Sequence, residues 1–335
     1  MKISASVFSN PHRPLEDLVR ELEECGVDYI HVDCNDDLSV GEQIGRMRAA
    51  CSLPIDLHII SPEPEKFWPM IREHKVDMVT LQVEDLGDRI VELPDLGCQW
   101  GMSLVTSTPN SAFEPYVDQC GFVLFMTTTP GQSGGKFDKA NFAKIRRFHR
   151  AHRNKRIHVD GGVNAEISFV LRNMGVFCAV SGSFLVKAPS LPKAFLNLLV
   201  QKSDNHLSVG DIMHDLDELP VLGVENGEIG AILQAIEEYR MGYCLFVDGE
   251  GKLAGMVTNA DVRRGLLKVL PEAGKLDLAA VLNRTPKRIG QEKTVSDMLR
   301  YVKGLDFLVQ NLPVVDGEGK LVGAVNFNQL ILGEL

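Results

Sequence analysis

The sequence has no run of apolar residues long enough to cross a membrane, which takes roughly 20 in a row. Its start, MKISASVFSNPH, lacks the long apolar core of a secretory signal. The seven cysteines, Cys25, Cys34, Cys51, Cys98, Cys120, Cys178 and Cys244, form no CxxC pair and are odd in number. Several sit inside apolar runs, where a free thiol behaves as a small hydrophobe. A reducing, cytoplasmic setting is therefore expected. Positive charge is also short. Lys and Arg number 35 against 45 Asp and Glu, a formal net charge of −10. Such a chain repels phosphate backbones and anionic lipid, so nucleic acid and membranes are excluded as expected partners. A small phosphorylated ligand remains compatible, because backbone amides and a few local groups can hold one phosphate. With 44% hydrophobic and 24% charged residues in 335, the chain reads as an ordinary globular protein of about two domains.

What is present begins with an alternation. Short β-type runs at Lys2–Val7, Asp28–Asp33, Pro54–Ile60, Met78–Gln82, Gln99–Leu104, Phe122–Thr127, Arg156–Asp160 and Phe177–Ser181 are separated by amphipathic stretches such as Leu15–Cys25 and Phe142–His152. Eight strands, each followed by a helix, spell a (β/α)8 TIM barrel over residues 1–203, with Leu191–Lys202 as its eighth helix. Gln201–His206 reads as a polar linker. Beyond it, VDGEGKL occurs at Val247–Leu253 and again at Val315–Leu321, each time between two apolar runs. Asp-Gly in that position is a hairpin signal. The repetition predicts a tandem α+β module over 207–335, with copies at 207–270 and 276–335, each of about 60 residues.

Barrels of this kind carry their sites at the C-terminal ends of the strands. The second strand ends in His31-Val32-Asp33, the third in Asp56-Leu57-His58 and the seventh in Asp160-Gly161-Gly162. Residues two apart on a strand face the same side, so His31 and Asp33 can both face the barrel mouth. Together with His58 and Asp160 they form a two-histidine, two-carboxylate set from three strands. Imidazole favours borderline metals, so the set suits one Zn²⁺, Fe²⁺ or Mn²⁺ ion and not Mg²⁺. The glycine-rich Thr129–Phe137 after strand six, Gly161-Gly162 after strand seven and Gly182-Ser183 after strand eight offer exposed amides for a phosphate.

Residues 1–190 resemble the ribulose-phosphate 3-epimerase family. The matches are KISASVFS, YIHVDC, LPIDLHII, PGQSGGKF, HVDGGVN and VSGS, in order and at the family's spacing. The resemblance implies metal ligation by His31, Asp33, His58 and Asp160. It implies proton exchange by Asp33 and Asp160, and epimerisation at C3 of a ketose phosphate. It also implies substrate contact at Ser6 and phosphate contact at Gly134, Gly161, Gly162, Gly182 and Ser183. The chain departs from the family in places. The loop after strand two is shorter and begins Cys34-Asn35-Asp36-Asp37, with Asn35 where the family has an apolar Met. On strand four a His becomes Gln82, although Glu84 remains. Related barrel lyases need a lysine near the end of strand two, and none occurs between His31 and Arg46. A barrel that only binds and reports a sugar phosphate is the alternative reading.

Residues 207–335 resemble a CBS-domain pair (Bateman module), through VGDIM, GYCLFVD and GMVTNADVRR. The resemblance implies that Thr258 and Asp261, of a TxxD element, bind the ribose and phosphates of a nucleotide or nucleotide-sugar. The second copy has Asn326-Phe327-Asn328-Gln329 there and lacks the acid, so one competent site is expected. A homo-oligomer, a dimer or larger, is expected through this module.

Overall fold

The computed structural model describes residues 1–200, 206–269, 276–305 and 309–327. The chain divides into two compact units, one built on Met1–Lys202 and the other on Ser203–Asn328. Residues 201–205 of the expected linker lie outside the described residues.

The first unit is a closed barrel of eight strands in sequence order. They are β1 (Lys2–Ser6), β2 (Tyr29–Asn35), β3 (Ile55–Ile60), β4 (Met78–Gln82), β5 (Gln99–Val105), β6 (Phe122–Met126), β7 (Arg156–Asp160) and β8 (Cys178–Ser181). Every neighbouring pair is parallel, and β1 pairs with β8 to close the ring. The strands are buried along nearly their whole length because both faces are covered; all five residues of β6 are buried and apolar. Helices α1 (Leu15–Glu24), α2 (Val40–Ala50) and α3 (Trp68–His74) follow β1 to β3. Helices α5 (Ala140–Ala151) and α6 (Ala165–Asn173) follow β6 and β7, and a short α7 (Ser183–Val186) precedes α8 (Leu191–Leu199) after β8.

The expectation that every strand is followed by a full helix is corrected at two places. After β4 there is a single turn, α4 (Val83–Leu86), stopped at Gly87, whose φ is +60°. After β5 there is only a 3₁₀ segment, Asn110–Tyr116, with Pro115 inside it. A proline within the run removes an amide donor and crowds the preceding turn, so an α-helix does not propagate there.

Register decides which side chains meet. On β2 and β3, His31 lies opposite Asp56 and Asp33 opposite His58. On β7 and its neighbours, Asp160 lies opposite Met126 of β6 and Val180 of β8. Below this level Phe122 stacks on His158 with ring centroids 4.2 Å apart. A Cβ at Gly101 would fall 2.3 Å from the Phe122 ring, so the glycine on β5 makes room for the stack.

In the second unit α9 (Val209–Ile212), β9 (His214–Asp215), β10 (Val221–Gly223) and α10 (Ile229–Tyr239) lead into the hairpin β11 (Tyr243–Val247) and β12 (Leu253–Thr258), then α11 (Asn259–Val269). The second copy contains α12 (Leu278–Val281), β13 (Ile289–Gly290), α13 (Val295–Lys303), β14 (Asn311–Val315) and β15 (Leu321–Asn326). The sheets have orders β10-β11-β12 and β13-β14-β15-β9. The two VDGEGKL turns close alike. Asp248 accepts from the amides of Glu250 and Lys252, and Asp316 from those of Glu318 and Lys320. Leu219, Tyr243 and Leu245 of the first copy pack with Leu321 and Ala324 of the second. This is the tandem α+β architecture expected of a CBS pair.

Candidate metal centre and the cavities

His31, Asp33, His58 and Asp160 converge, with one potential ligand atom from each lying within 4.8 Å of all the others. Both histidines are fully buried, while the Asp33 and Asp160 side chains are 18% and 14% exposed. The imidazoles thus form the floor and the carboxylates the walls. His31 Nε2 points between the carboxylates, 3.4 Å from Asp33 Oδ1 and 3.6 Å from Asp160 Oδ2, and has no hydrogen-bond partner among the described residues. His58 Nδ1 is 3.3 Å from Asp33 Oδ1. A buried imidazole nitrogen without a partner, aimed into a group of oxygen and nitrogen donors, fits a divalent transition-metal ion.

Each histidine is held from behind. His31 Nδ1 lies 2.9 Å from Asp56 Oδ2, which also accepts the Ser4 hydroxyl at 2.9 Å. His58 Nε2 lies 2.8 Å from Gln82 Oε1. Fixing one ring nitrogen with an outer acceptor directs the other at the metal. Sequence reading placed Asp56 beside the site without a role, and Gln82 as a departure from the family pattern. The available signal was strand periodicity, which puts Asp56, His58 and, on β4, Gln82 on the inward face.

The charges explain one another. Burial opposes a charged imidazole at His31, but Asp56 and Asp33 outweigh it and hold the ring well above the usual histidine range. Burial also opposes ionisation of Asp33 and of Asp56, yet His31 outweighs it at both and holds them below the usual carboxylate range. Asp160 goes the other way. Burial, with the charges of Asp33 and Asp56 added to it, pushes it up to about 6 against the pull of His31. Three carboxylates thus surround a protonated histidine, an arrangement in which a bound dication takes over the countercharge and draws the carboxylates toward ionisation.

Above the cluster lies a cavity of about 370 Å³ lined by Asp33 and Asp160 together with Ser6, Gly134, Gly161, Gly162, Gly182 and Ser183. All six expected substrate contacts therefore share one wall system with both aspartates. Asn35 lines it too. Gly162 has φ +63°, and a Cβ there would fall 2.2 Å from the Phe137 amide nitrogen, so the loops after β6 and β7 close on each other only through glycine.

A second cavity, of about 620 Å³, lies within the second unit. It is lined by Arg240, Thr258, Asn259, Arg263, Thr285, Lys287, Gln310 and Asn311 among others. The side chains of Arg240, Arg263 and Lys287 have no ion-pair or hydrogen-bond partner among the described residues. Thr258 is on this wall, whereas Asp261 is not among the lining residues. Its carboxylate accepts from the Thr258 amide at 2.9 Å and hydroxyl at 2.6 Å, and pairs with Arg264. Ser208 with Asp211 and Thr294 with Asp297 form comparable capping boxes at α9 and α13, so the TxxD acid here is also a helix cap. In the second copy, Asn328 and Gln329 lie outside the described residues.

Fold and cluster define the first unit as a (β/α)8 barrel with a group of two histidines and two carboxylates that could hold a metal ion at its mouth. A model of the ribulose-phosphate 3 epimerase family matches residues 2–186, and the chain belongs to that family. The ribulose-phosphate 3-epimerase of Bacillus subtilis is 29% identical over 197 residues, covering 55% of this chain and 91% of that one. The chloroplastic ribulose-5-phosphate-3-epimerase of Arabidopsis thaliana is 27% identical, over 60% of this chain and 76% of its own. That of Methanocaldococcus jannaschii is 28% identical, over 59% and 89%. Among solved structures, the CBS-pair protein CBSX2 from Arabidopsis thaliana is 21% identical, with a TM-score of 0.31 over 37% of this chain and 91% of that one. CBSX2 in complex with AMP is 24% identical, with a TM-score of 0.31 over 37% and 92%.

Proposed function

We propose that the barrel epimerises a ketose phosphate at C3, using a Zn²⁺, Fe²⁺ or Mn²⁺ ion held by His31, Asp33, His58 and Asp160. The observation that carries this reading is one cavity lined both by two carboxylates and by three glycine-containing loops that offer amides. A binder needs the amides but has no use for two carboxylates facing one ligand. The bound ion supplies Lewis-acid stabilisation of the negative charge that develops when the proton α to the ketone leaves. The chain does the rest. Amides at Gly134, Gly161, Gly162, Gly182 and Ser183 hold the phosphate, and among the described residues no lysine or arginine lines the cavity. Ser6 contacts the sugar. Asp33 and Asp160, on different strands, take the proton from one face of the carbon and return one to the other face. Pentulose and hexulose phosphates are the substrate class. Turnover is tested by adding each to metal-loaded protein and identifying the product by NMR. Inversion at C3 with an intact skeleton is the expected result, and binding without conversion of any of them would favour a sensor.

The cavity of the second unit is proposed to take a nucleotide or nucleotide-sugar. In a chain of net charge −10, three unpaired cations on one wall favour an anion. Thr258 and Asn259 contact the ribose–phosphate part, and Asp261 acts there by holding Thr258 in place. Exposed Leu233, Leu266 and Leu267 on α10 and α11 supply apolar surface for a homodimer.

A further inference from the structure

The two metal-facing histidines are oriented by different means. His31 is bonded directly to a carboxylate, which accepts only, so its Nδ1 keeps a proton and Nε2 is the nitrogen left to give its lone pair to an ion, once any proton on it has been displaced. Behind His58 stands an amide, which could equally present its oxygen or its NH₂. With the NH₂ toward the ring, His58 would carry its proton on Nδ1 and have no lone pair for a metal. Something must break that tie.

We propose that Glu84 breaks it, acting as a remote positioning residue for the metal ligand His58. Gln82 Nε2 donates to Glu84 Oε2. The other oxygen of Glu84 accepts from the Val105 amide at 3.0 Å and from the Thr108 hydroxyl, which anchors the carboxylate between β4 and the end of β5. A carboxylate cannot donate, so the Gln82 NH₂ must face Glu84 and its oxygen must face His58 Nε2. His58 therefore donates through Nε2 and keeps the Nδ1 lone pair toward Asp33 and the cluster. A line of fixed polarity, Glu84 to Gln82 to His58, sets the ligand's tautomer from the rim of the barrel. Glu84 touches neither the metal site nor the cavity wall.

The inference rests on His58 being a ligand, and it is tested by reversing the polarity without changing shape. In Glu84→Gln, the new side chain keeps its oxygen on Val105 and Thr108 and turns an NH₂ toward Gln82. Gln82 must then flip, and its NH₂ forces the His58 proton onto Nδ1. The full-length variant is expected to bind Zn²⁺ about 10- to 100-fold more weakly in competition with a chromophoric chelator, the usual cost of an outer partner. The ¹⁵N spectrum of metal-free, histidine-labelled protein is expected to move from an Nε2–H to an Nδ1–H signature at His58. The double exchange Gln82→Glu/Glu84→Gln restores an acceptor behind His58 and is expected to bring Zn²⁺ affinity and tautomer back near the parent's. Parent-like affinity and tautomer in Glu84→Gln would overturn the inference, as would a folded double variant that restores neither. A parent that binds no Zn²⁺ yet shows the Nε2–H tautomer would overturn the metal reading and leave the tautomer lock standing.

Discussion

The barrel-mouth cavity and the cavity of the second unit are opposites in charge and in preparation. At the barrel mouth, Asp33, Asp56 and Asp160 surround buried imidazoles, and outer residues hold both rings. In the second unit, Arg240, Arg263 and Lys287 are exposed, unpaired side chains around a larger space. The first is a buried, negative cage with hydrogen-bonded rings, suited to a cation. The second is a positive basin with exposed side chains, suited to an anion. Chemistry needs the first kind of site, because misplacement of a reacting group costs rate steeply. Sensing needs the second, because a sensor must release its ligand.

The largest effect that separates them belongs to Asp160. Asp160→Asn keeps the shape of the wall but cannot accept a proton, so turnover is expected to fall about 100- to 10,000-fold, with substrate affinity changed far less. Stopped assays and calorimetry on the same preparation check this, and a variant within a few-fold of parental turnover refutes the role. His58→Ala is expected to remove most of the bound transition metal, since loss of one ligand of four opens the site. Elemental analysis of parent and variant decides it, and equal metal content is the contrary result.

The cage also sets a pH dependence. In the metal-free protein His31 is held above the usual histidine range, so at neutral pH an incoming ion must displace its proton. Asp160, pushed up to about 6, adds a second proton below that pH. Metal affinity is therefore expected to weaken as pH falls, with a steeper slope below about pH 6 than above it. Chelator competition across pH 5 to 8 measures the slope, and an affinity independent of pH contradicts it. At the other cavity, Arg263→Ala is expected to weaken ATP or AMP binding about tenfold, as for one lost charge-assisted contact, without altering the barrel's metal content. Asp261→Ala removes the acid half of a capping box and is expected to cost about 1 kcal/mol of stability, measured by denaturant unfolding. No change in stability would mean that the cap contributes nothing.

Much of this was legible in the sequence. Alternating apolar strands and helices spelled the barrel, and the twice-used VDGEGKL spelled the second unit's repeat. The cluster was legible because strand periodicity and the C-terminal-end rule select the same four residues. Less legible was anything that depends on neighbours in space. Nothing local in Gln82 says that it backs His58, because that requires the pairing of β3 with β4. Asp261 reads as a ligand-binding acid by motif, yet its carboxylate is engaged by Thr258 and Arg264, a matter of helix capping that the motif shares. The missing helices after β4 and β5 were signalled only by Gly87, Pro109 and Pro115, which weaken a helix without saying what replaces it.

The central claim is that two carboxylates beside one metal exchange a proton on a ketose phosphate. Turnover in D₂O tests it most directly. Metal-loaded protein supplied with pentulose and hexulose phosphates should yield, for at least one of them, an epimer carrying a single deuteron at C3, read by NMR. That label follows because the acid returning the proton has equilibrated with solvent. Absence of deuterium from every sugar, with metal bound and the cavity occupied, would contradict the account and make the barrel a receptor.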